Sequence, residues 1–160
     1  MPWMDLNQRR INLYTQTGAL DKVEYYCQAN LQLLHETGYE ESQYTTIFNL
    51  AYQALGDIAY QRGQYQEAIN HYNYTIEIEN EMAEEKNRSS TIWSIYSRLS
   101  KTYKEMGLLD EAHNYNEITH KQYLEDYWVD DYEAYKIANF IFTIELDLLS
   151  GELDLSLIHI

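Results

Sequence analysis

The side chains in this sequence that could carry chemistry are few and widely spaced. No two histidines stand four residues apart, the spacing at which a helix presents both imidazoles to one zinc ion. Glu117 and His120 are three residues apart, as in the pairs of di-iron bundles, but the sequence holds no second such pair. We therefore expect no metal site and no cofactor. Surface or partly packed side chains are the better interpretation for all five histidines, at positions 35, 71, 113, 120 and 159.

Nucleophilic catalysis is also poorly supported. Cys27 is the only cysteine, it falls at a helical packing position, and no histidine lies close to it in sequence. The Ser89–Ser90 pair has no partner that would activate a hydroxyl group. No glycine-rich phosphate loop follows a strand, because the pattern predicts no strands. We expect no catalysis within these 160 residues.

The excess of acidic residues disfavours partners that are themselves negatively charged. The chain has 26 acidic and 11 basic residues and a formal charge of −15, which argues against binding to nucleic-acid backbones and anionic membranes. A single cysteine permits no internal disulfide, and no apolar run approaches the roughly 20 residues of a membrane span. Residues 1–5 do not resemble a signal peptide. These features predict a cytoplasmic protein whose partner is a protein or a peptide.

A repeated turn organises the rest of the chain. The hexapeptide G-Q-Y-Q-E-A at 63–68 has counterparts whose glycines are Gly18, Gly107 and Gly151, so that the four glycines stand 45, 44 and 44 residues apart. A fixed period of this size marks an array of helical repeats. Glycine ends a helix in the left-handed conformation without steric cost, and an acidic residue three positions later suits the start of the next helix.

Apolar residues at helical spacing predict seven helices. Small residues pair across two of the predicted hairpins, Gly56 with Ala68 and Ser100 with Ala112, which would let antiparallel helices approach closely. The first hairpin has Ile11 and Val23 there, so we expect a looser pair. Most of the 17 tyrosines are expected to cover the seams between helices, and a minority to line a groove. The predicted helices are 5–17, 20–37, 42–62, 65–85, 90–106, 109–127 and 132 to about 150.

The sequence L-G-x-x-A-Y-x-x-G-x-Y-x-x-A-x-x-x-Y at 55–72 resembles the signature of the tetratricopeptide repeat, and L-S-x-x-Y-x-x-x-G-x-L-x-x-A at 99–112 is a second match. Asn80 replaces the proline that closes a repeat in the family, and the period is about ten residues longer than the usual 34. Longer repeats of this kind resemble those of kinesin light chains and of sensor arrays in bacterial regulators. The resemblance implies an all-α, right-handed superhelical solenoid over 1–154, with repeats at about 5–38, 42–86, 89–128 and an incomplete one at 130–154.

The resemblance also implies a binding surface, because the first helix of each tetratricopeptide repeat lines the concave face. In this sequence the residues predicted to line that face form a stripe that is polar and mixed in charge. The stripe lacks the repeated lysine, asparagine and arginine clamp that binds C-terminal carboxylates in some family members. A dedicated groove and a merely solvated face are both compatible with it. The residues that the register assigns to the stripe are Gln53, Asp57, Tyr60, Gln61, Ser94, Ser97, Lys101 and Lys104.

Three hypotheses for function follow. The main one is a protein-binding scaffold that forms the sensory or interaction part of a larger bacterial signalling protein. The second is a receptor for a small peptide pheromone, as in tetratricopeptide regulators of Gram-positive bacteria. The third is an accessory domain of an enzyme whose catalytic domain lies outside this sequence.

The end of the chain departs from the pattern. Residues 155–160 resemble the translation of a transposon end used in preparing sequencing libraries, which would make them read-through; the alternative is an ordinary tail. Gly151 opens a turn whose second helix is missing, while the helix at 132–149 is markedly apolar. We expect that helix to have an uncovered face and the natural protein to continue past residue 154.

Overall fold

The computed structural model describes residues 2–37, 45–83, 92–126 and 132–151. These residues form helices and turns and no strand, which confirms the all-α expectation. The predicted segments at 38–44, 84–91, 127–131 and 152–160, with their expected caps, linkers and tail, lie outside the described residues. The helices of the described residues are α1 (Pro2–Gln16), α2 (Leu20–Glu36), α3 (Thr45–Gln61), α4 (Tyr65–Ala83), α5 (Ile92–Glu105), α6 (Leu109–Asp126) and α7 (Tyr132–Ser150).

One backbone motif ends α1, α3 and α5. Gly63 donates its N–H to the carbonyl of Tyr60 at 2.9 Å, and Gln64 donates to the carbonyl of Ala59 at 2.9 Å. This pair of bonds is the Schellman motif, which satisfies the last carbonyls of α3 and requires a left-handed residue. The predicted glycine turns are thus confirmed, with positive φ angles of 69°, 72°, 74° and 78° at Gly18, Gly63, Gly107 and Gly151.

The chain divides into two compact units, Met1–Ser89 and Ser90–Ile160. In the first unit α2 packs on α1, α3 on α2 and α4 on α3. Apolar residues from three successive helices meet in one cluster, so each hairpin covers its neighbour. The cluster consists of Ile11, Val23, Cys27, Ala51, Leu55 and Ile58.

A second cluster, at the other end of these helices, joins α1 to α4. It contains Met4, Leu34, Phe48 and Ile78, one residue from each helix of the first unit. Because all four are buried, this end of the unit has its own apolar core. In α2, α3 and α4 the apolar spacing corresponds to packing faces, whereas on α1 Leu6 and Leu13 are exposed and Met4 and Ile11 are the residues that pack.

The small residues lie where the hairpins are closest. Ala68 and Ala112 are fully buried. In the first unit the space beside Gly56 is occupied by the ring of Tyr72. In the second unit the hydroxyl of Ser100 donates to the carbonyl of Ala112 at 2.6 Å, directly joining α5 to α6. The missing side chain at position 56 leaves room for the Tyr72 ring. The small side chain at position 100 lets α5 and α6 come close enough for the hydrogen bond.

The second unit consists of α5, α6 and α7, with α6 packed on α5 and α7 packed on α6. Ile95, Leu99 and Thr102 are buried on α5, and Leu146 is buried on α7. The hydrophobic side of α7 that contains Leu146 therefore faces the unit, whereas the opposite side of the same helix does not.

Candidate functional site

The part of the polar stripe that lies on α3 is partly committed to the fold. Asp57 accepts a hydrogen bond from the hydroxyl of Tyr72 at 2.8 Å, so its carboxylate holds α4 against α3. The ring of Tyr60 lies 5.8 Å from that of Tyr65, across the glycine turn. Gln53 is half-buried and Gln61 is exposed. Only Gln61 presents a largely exposed side chain to solvent.

The other part of the stripe lies on α5, in the second unit. Lys104 pairs with Glu145 of α7 at 2.8 Å and lies 5.1 Å from the centre of the Phe142 ring. This lysine therefore joins two first helices of successive repeats along one face. Ser94 and Ser97 are half-buried and Lys101 is exposed. The structure brings the eight residues together as two groups of four, one group in each unit.

A cavity between α6 and α7 is the feature that the stripe prediction missed. Its volume is about 430 Å³, within the range of small-ligand and side-chain pockets. One hydrogen bond crosses between the two helices beside it, from the amide of Asn116 to the hydroxyl of Thr143 at 3.0 Å. The lining is mainly apolar, with a few polar groups, and consists of His120, Lys136, Ile137, Asn139, Phe140 and Thr143.

An aromatic cluster borders this cavity. The rings of Tyr123 and Tyr135 stack with centroids 3.5 Å apart, and Trp93 meets Tyr123 edge-on at 5.1 Å. His120 stacks on Tyr135 with centroids 6.1 Å apart. The cluster thus joins α5, α6 and α7 through side chains that are far apart in sequence.

Some buried polar atoms of the cluster lack a hydrogen-bond partner. Within the described part of the chain, the hydroxyl of Tyr135 and Nδ1 of His120 are buried and have no hydrogen-bond partner. Burial, and then the neighbouring Tyr123, raises the pKa of Tyr135 to about 12, so its phenol keeps its proton at neutral pH. Buried polar atoms of this kind gain free energy from a partner. Of these two residues, His120 is the one that also lines the cavity.

The outer face of α7 is an apolar stripe. Its large side chains are between 38 % and 66 % exposed, whereas Leu146 on the opposite side is fully buried. An exposed apolar surface of this extent on one helix is typical of an interaction site. The α7 stripe is defined here as Ile137, Phe140, Ile141, Leu148 and Leu149.

The equivalent face of the earlier first helices is covered. On α5, 44 residues earlier, the ring of Tyr96 stacks on Tyr115 of α6 at 6.2 Å. On α3, the ring of Tyr52 meets Tyr74 of α4 at 4.5 Å. In both repeats the second helix lies over the face that α7 leaves open. The uncovered face expected from the sequence is therefore confirmed, at Phe140 in place of Tyr96 or Tyr52.

A smaller, polar cavity of about 120 Å³ lies in the first unit. Arg62 at the end of α3 pairs there with Asp21 at 2.8 Å and Glu24 at 2.9 Å, both on α2. These are surface ion pairs, which contribute little to stability because water screens them, and they link one hairpin to the next. Since the charges are matched within the chain, this cavity is a weaker candidate for ligand binding.

The described residues contain no cluster of three or more histidine, cysteine or acidic side chains that could hold a metal ion. None of the described helices has the length and apolar character needed to cross a membrane. The chain matches no protein-family model, no curated protein and no solved structure.

Proposed function

We propose that this chain is a protein-binding helical repeat module of the tetratricopeptide type, and that α6 and α7 hold its main binding surface. The observation that carries the proposal is the α7 stripe: in two other repeats the same face is covered by a helix, and here it is open. On this proposal the chain contributes recognition and no chemistry of its own.

The repeated turn supports the tetratricopeptide part of the proposal. The left-handed glycine recurs at the end of α1, α3, α5 and α7, and the described helices pack mainly on their sequence neighbours within each unit. Hairpins of equal length that repeat this packing stack into a superhelix. The period of about 44 residues places equivalent side chains at equivalent positions, as with Tyr52 and Tyr96.

The surface favours an amphipathic helix as the bound segment. A helix that occupies the place of α4 or α6 would bury the α7 stripe and extend one apolar side chain into the cavity beside Phe140. Such helix-in-groove recognition depends on anchors at i, i+3, i+4 and i+7. Lys101, an exposed residue of α5 in the same unit, would supply a weaker contact at the rim of the groove.

The cavity favours one alternative, a small peptide ligand. Its volume of about 430 Å³ suits one or two side chains, and His120, which lines the cavity and has an unpaired Nδ1, could bond a peptide group. A peptide that binds only the folded chain raises its melting temperature in proportion to the logarithm of ligand concentration.

Isothermal titration calorimetry of the protein with a set of synthetic amphipathic helical peptides tests the proposal. We expect binding that Phe140→Ser weakens by at least about tenfold, as for an interface anchor. Leu13→Ser, which changes an exposed leucine on α1, is the matched control and should bind as the parent does. Equal binding by the parent and by Phe140→Ser would exclude α7 as the site. If no peptide of the set binds, an amphipathic helix is not the bound segment.

A further inference from the structure

We infer that the cavity between α6 and α7 receives an aromatic side chain of the bound partner, and that this ring carries a hydrogen-bond donor, as those of tyrosine and tryptophan do. The inference rests on the proposed function, since it uses the same surface, and it names the chemistry of the anchor. The cavity has a volume of about 430 Å³ and shares Ile137 and Phe140 with the α7 stripe. An anchor in the cavity is therefore continuous with a helix that lies along the stripe.

Among the described side chains that line the cavity, His120 is the one with a buried polar atom that lacks a hydrogen-bond partner. The atom is Nδ1 of the imidazole ring. A neutral imidazole has one N–H group and one acceptor nitrogen, so the tautomer that is protonated at Nε2 leaves Nδ1 as the acceptor. A ligand that donates to this ring would satisfy the atom, whereas a ligand without a donor would leave it unpaired.

Other polar side chains that line the cavity are engaged within the chain. Thr143 accepts a hydrogen bond from the amide of Asn116 at 3.0 Å, and its hydroxyl donates to the carbonyl of Asn139 at 2.9 Å. Lys136 also takes part in an interaction within the chain. Its positive charge disfavours a second cation in the cavity, which argues against lysine and arginine as the anchor. His120 is thus the group that sets the hydrogen-bonding character of the ligand.

Stacking holds the imidazole of His120 in place. Its ring lies nearly parallel to that of Tyr135, at an angle of 7° and with centroids 6.1 Å apart. Tyr135 in turn stacks on Tyr123, a buried residue of α6, with centroids 3.5 Å apart. An acceptor that is fixed in this way loses little conformational entropy when a ligand binds, so the site is organised before the anchor arrives.

The donor must come from a side chain, because a bound helix uses its own backbone N–H groups beyond its first turn. Aliphatic side chains carry no donor, serine and threonine are too short to fill the cavity, and an amide side chain would bury further polar atoms without partners. Phenol and indole combine a large apolar body with one donor at the edge of the ring. Phe140, whose side chain is 66 % exposed, offers such a ring an aromatic neighbour.

NMR titration of the full chain with the isolated side chains is the first test. We expect 4-methylphenol and 3-methylindole to bind in the millimolar range of such small ligands and to shift the signals of Ile137 and Phe140. Toluene, which has the shape of 4-methylphenol without its hydroxyl group, should bind about three- to tenfold more weakly, the usual effect of one hydrogen bond. Equal binding by toluene and 4-methylphenol, or no binding of either donor probe at about 10 mM, overturns the inference.

The variant His120→Phe removes the acceptor and keeps an aromatic ring. It should lower the affinity for 4-methylphenol to that for toluene and leave the binding of toluene as in the parent. His35→Phe, at an exposed position of α2, is the matched control and should bind both probes as the parent does. A preference for 4-methylphenol that persists in His120→Phe would contradict the assigned acceptor. The comparison of the two probes on the parent holds whether or not this variant folds.

Helical peptides separate this inference from the proposed function. Replacing a tyrosine anchor by phenylalanine should weaken binding to the parent by about three- to tenfold and have no effect on binding to His120→Phe. Peptides that bind through Phe140 equally well with either anchor would keep the proposed function and reject only the inference. Binding of 4-methylphenol at His120 without any peptide binder would keep the ligand chemistry of the cavity and reject the helix as the partner.

Discussion

The ring of Tyr72 occupies the space that any side chain at position 56 would need. A Cβ atom at Gly56 would lie 2.4 Å from Cε1 of Tyr72, well inside contact distance. The ring cannot move aside easily, because Tyr72 is buried and its hydroxyl is bonded to Asp57 at 2.8 Å. The closeness of α3 and α4 thus depends on one residue without a side chain and one large aromatic residue that fits against it.

We expect Gly56→Ala to destabilise the protein by about 1–3 kcal/mol, the usual cost of overpacking a core. Urea titration measures this change. In a Tyr72→Cys background, which copies the residue found at position 27 of the first repeat, the added methyl group has room and the same substitution should cost much less. An equal cost in both backgrounds would show that the ring is not the obstacle.

A second prediction concerns Asn30, which is fully buried. Its Oδ1 accepts from Asn7 at 2.9 Å, but its Nδ2 has no partner among the described residues. The equivalent positions hold Thr75 and Thr119, which are also buried and whose hydroxyls donate to carbonyls of their own helices at 3.1 Å and 2.7 Å. A threonine at this position therefore forms its hydrogen bond within its own helix.

We expect Asn30→Thr to raise the free energy of unfolding by about 0.5–1.5 kcal/mol, because it removes an unsatisfied buried amide. Asn7 is only partly buried, so water can replace the bond that it loses. Asn30→Val, which has a similar shape and no hydroxyl, is the control. Thermal melting should place the threonine variant above the parent; a lower melting temperature would mean that the Asn7 bond outweighs the unpaired group.

The pH dependence of stability should contain a contribution from His71. Burial lowers the pKa of His71 from its ordinary value of 6.5, and the nearby Glu67, at 3.9 Å, only partly opposes this. The unfolded chain therefore binds a proton at a higher pH than the folded chain does. As pH falls below about 6.5, this histidine makes the folded state progressively less stable, until the folded pKa is reached.

The substitution His71→Gln should remove that contribution. We expect the difference in unfolding free energy between variant and parent to shift in favour of the variant as pH decreases from 7 towards 5. His35→Gln, at an exposed position on α2, serves as the control. Parallel pH profiles for the parent and His71→Gln would rule out a contribution from this side chain.

The reactivity of Cys27 reports on opening of the first unit. Its side chain is fully buried, and burial, followed by the nearby Glu24, raises its pKa to about 12. At pH 8 almost no thiolate exists in the folded chain, so Ellman's reagent should react only during unfolding. The rate should rise with urea in step with the unfolded fraction.

A matched variant separates burial from chemistry. Cys27→Ser combined with Gln28→Cys moves the thiol to an exposed position of the same helix, and it should react quickly without denaturant. Fast reaction of the parent in the absence of urea would contradict the buried position. Equal rates of thiol reaction for the parent and the variant would also contradict it.

Much of the fold could be predicted from the sequence because it is local. The helix ends follow from glycines that adopt positive φ, and the helices follow from apolar spacing that is repeated within each segment. Where the residues on both sides of a helix end are described, the predicted and observed ends agree within one residue. The described part of α1 already includes Pro2, since proline is compatible with the first turn of a helix. The uncovered face of α7 was predicted too, from the markedly apolar sequence of that helix.

The sequence by itself determined where each helix starts and stops and which face of it is apolar, because these depend on residues within one or two turns. Only the tertiary structure decided which polar residues serve the fold. Asp57 bonds Tyr72, and Lys104 pairs with Glu145, which is 41 residues away. The cavity beside His120 and Tyr135 also arises only where α6 and α7 meet. Contacts across such separations depend on how whole helices pack, and periodicity within one helix does not specify them.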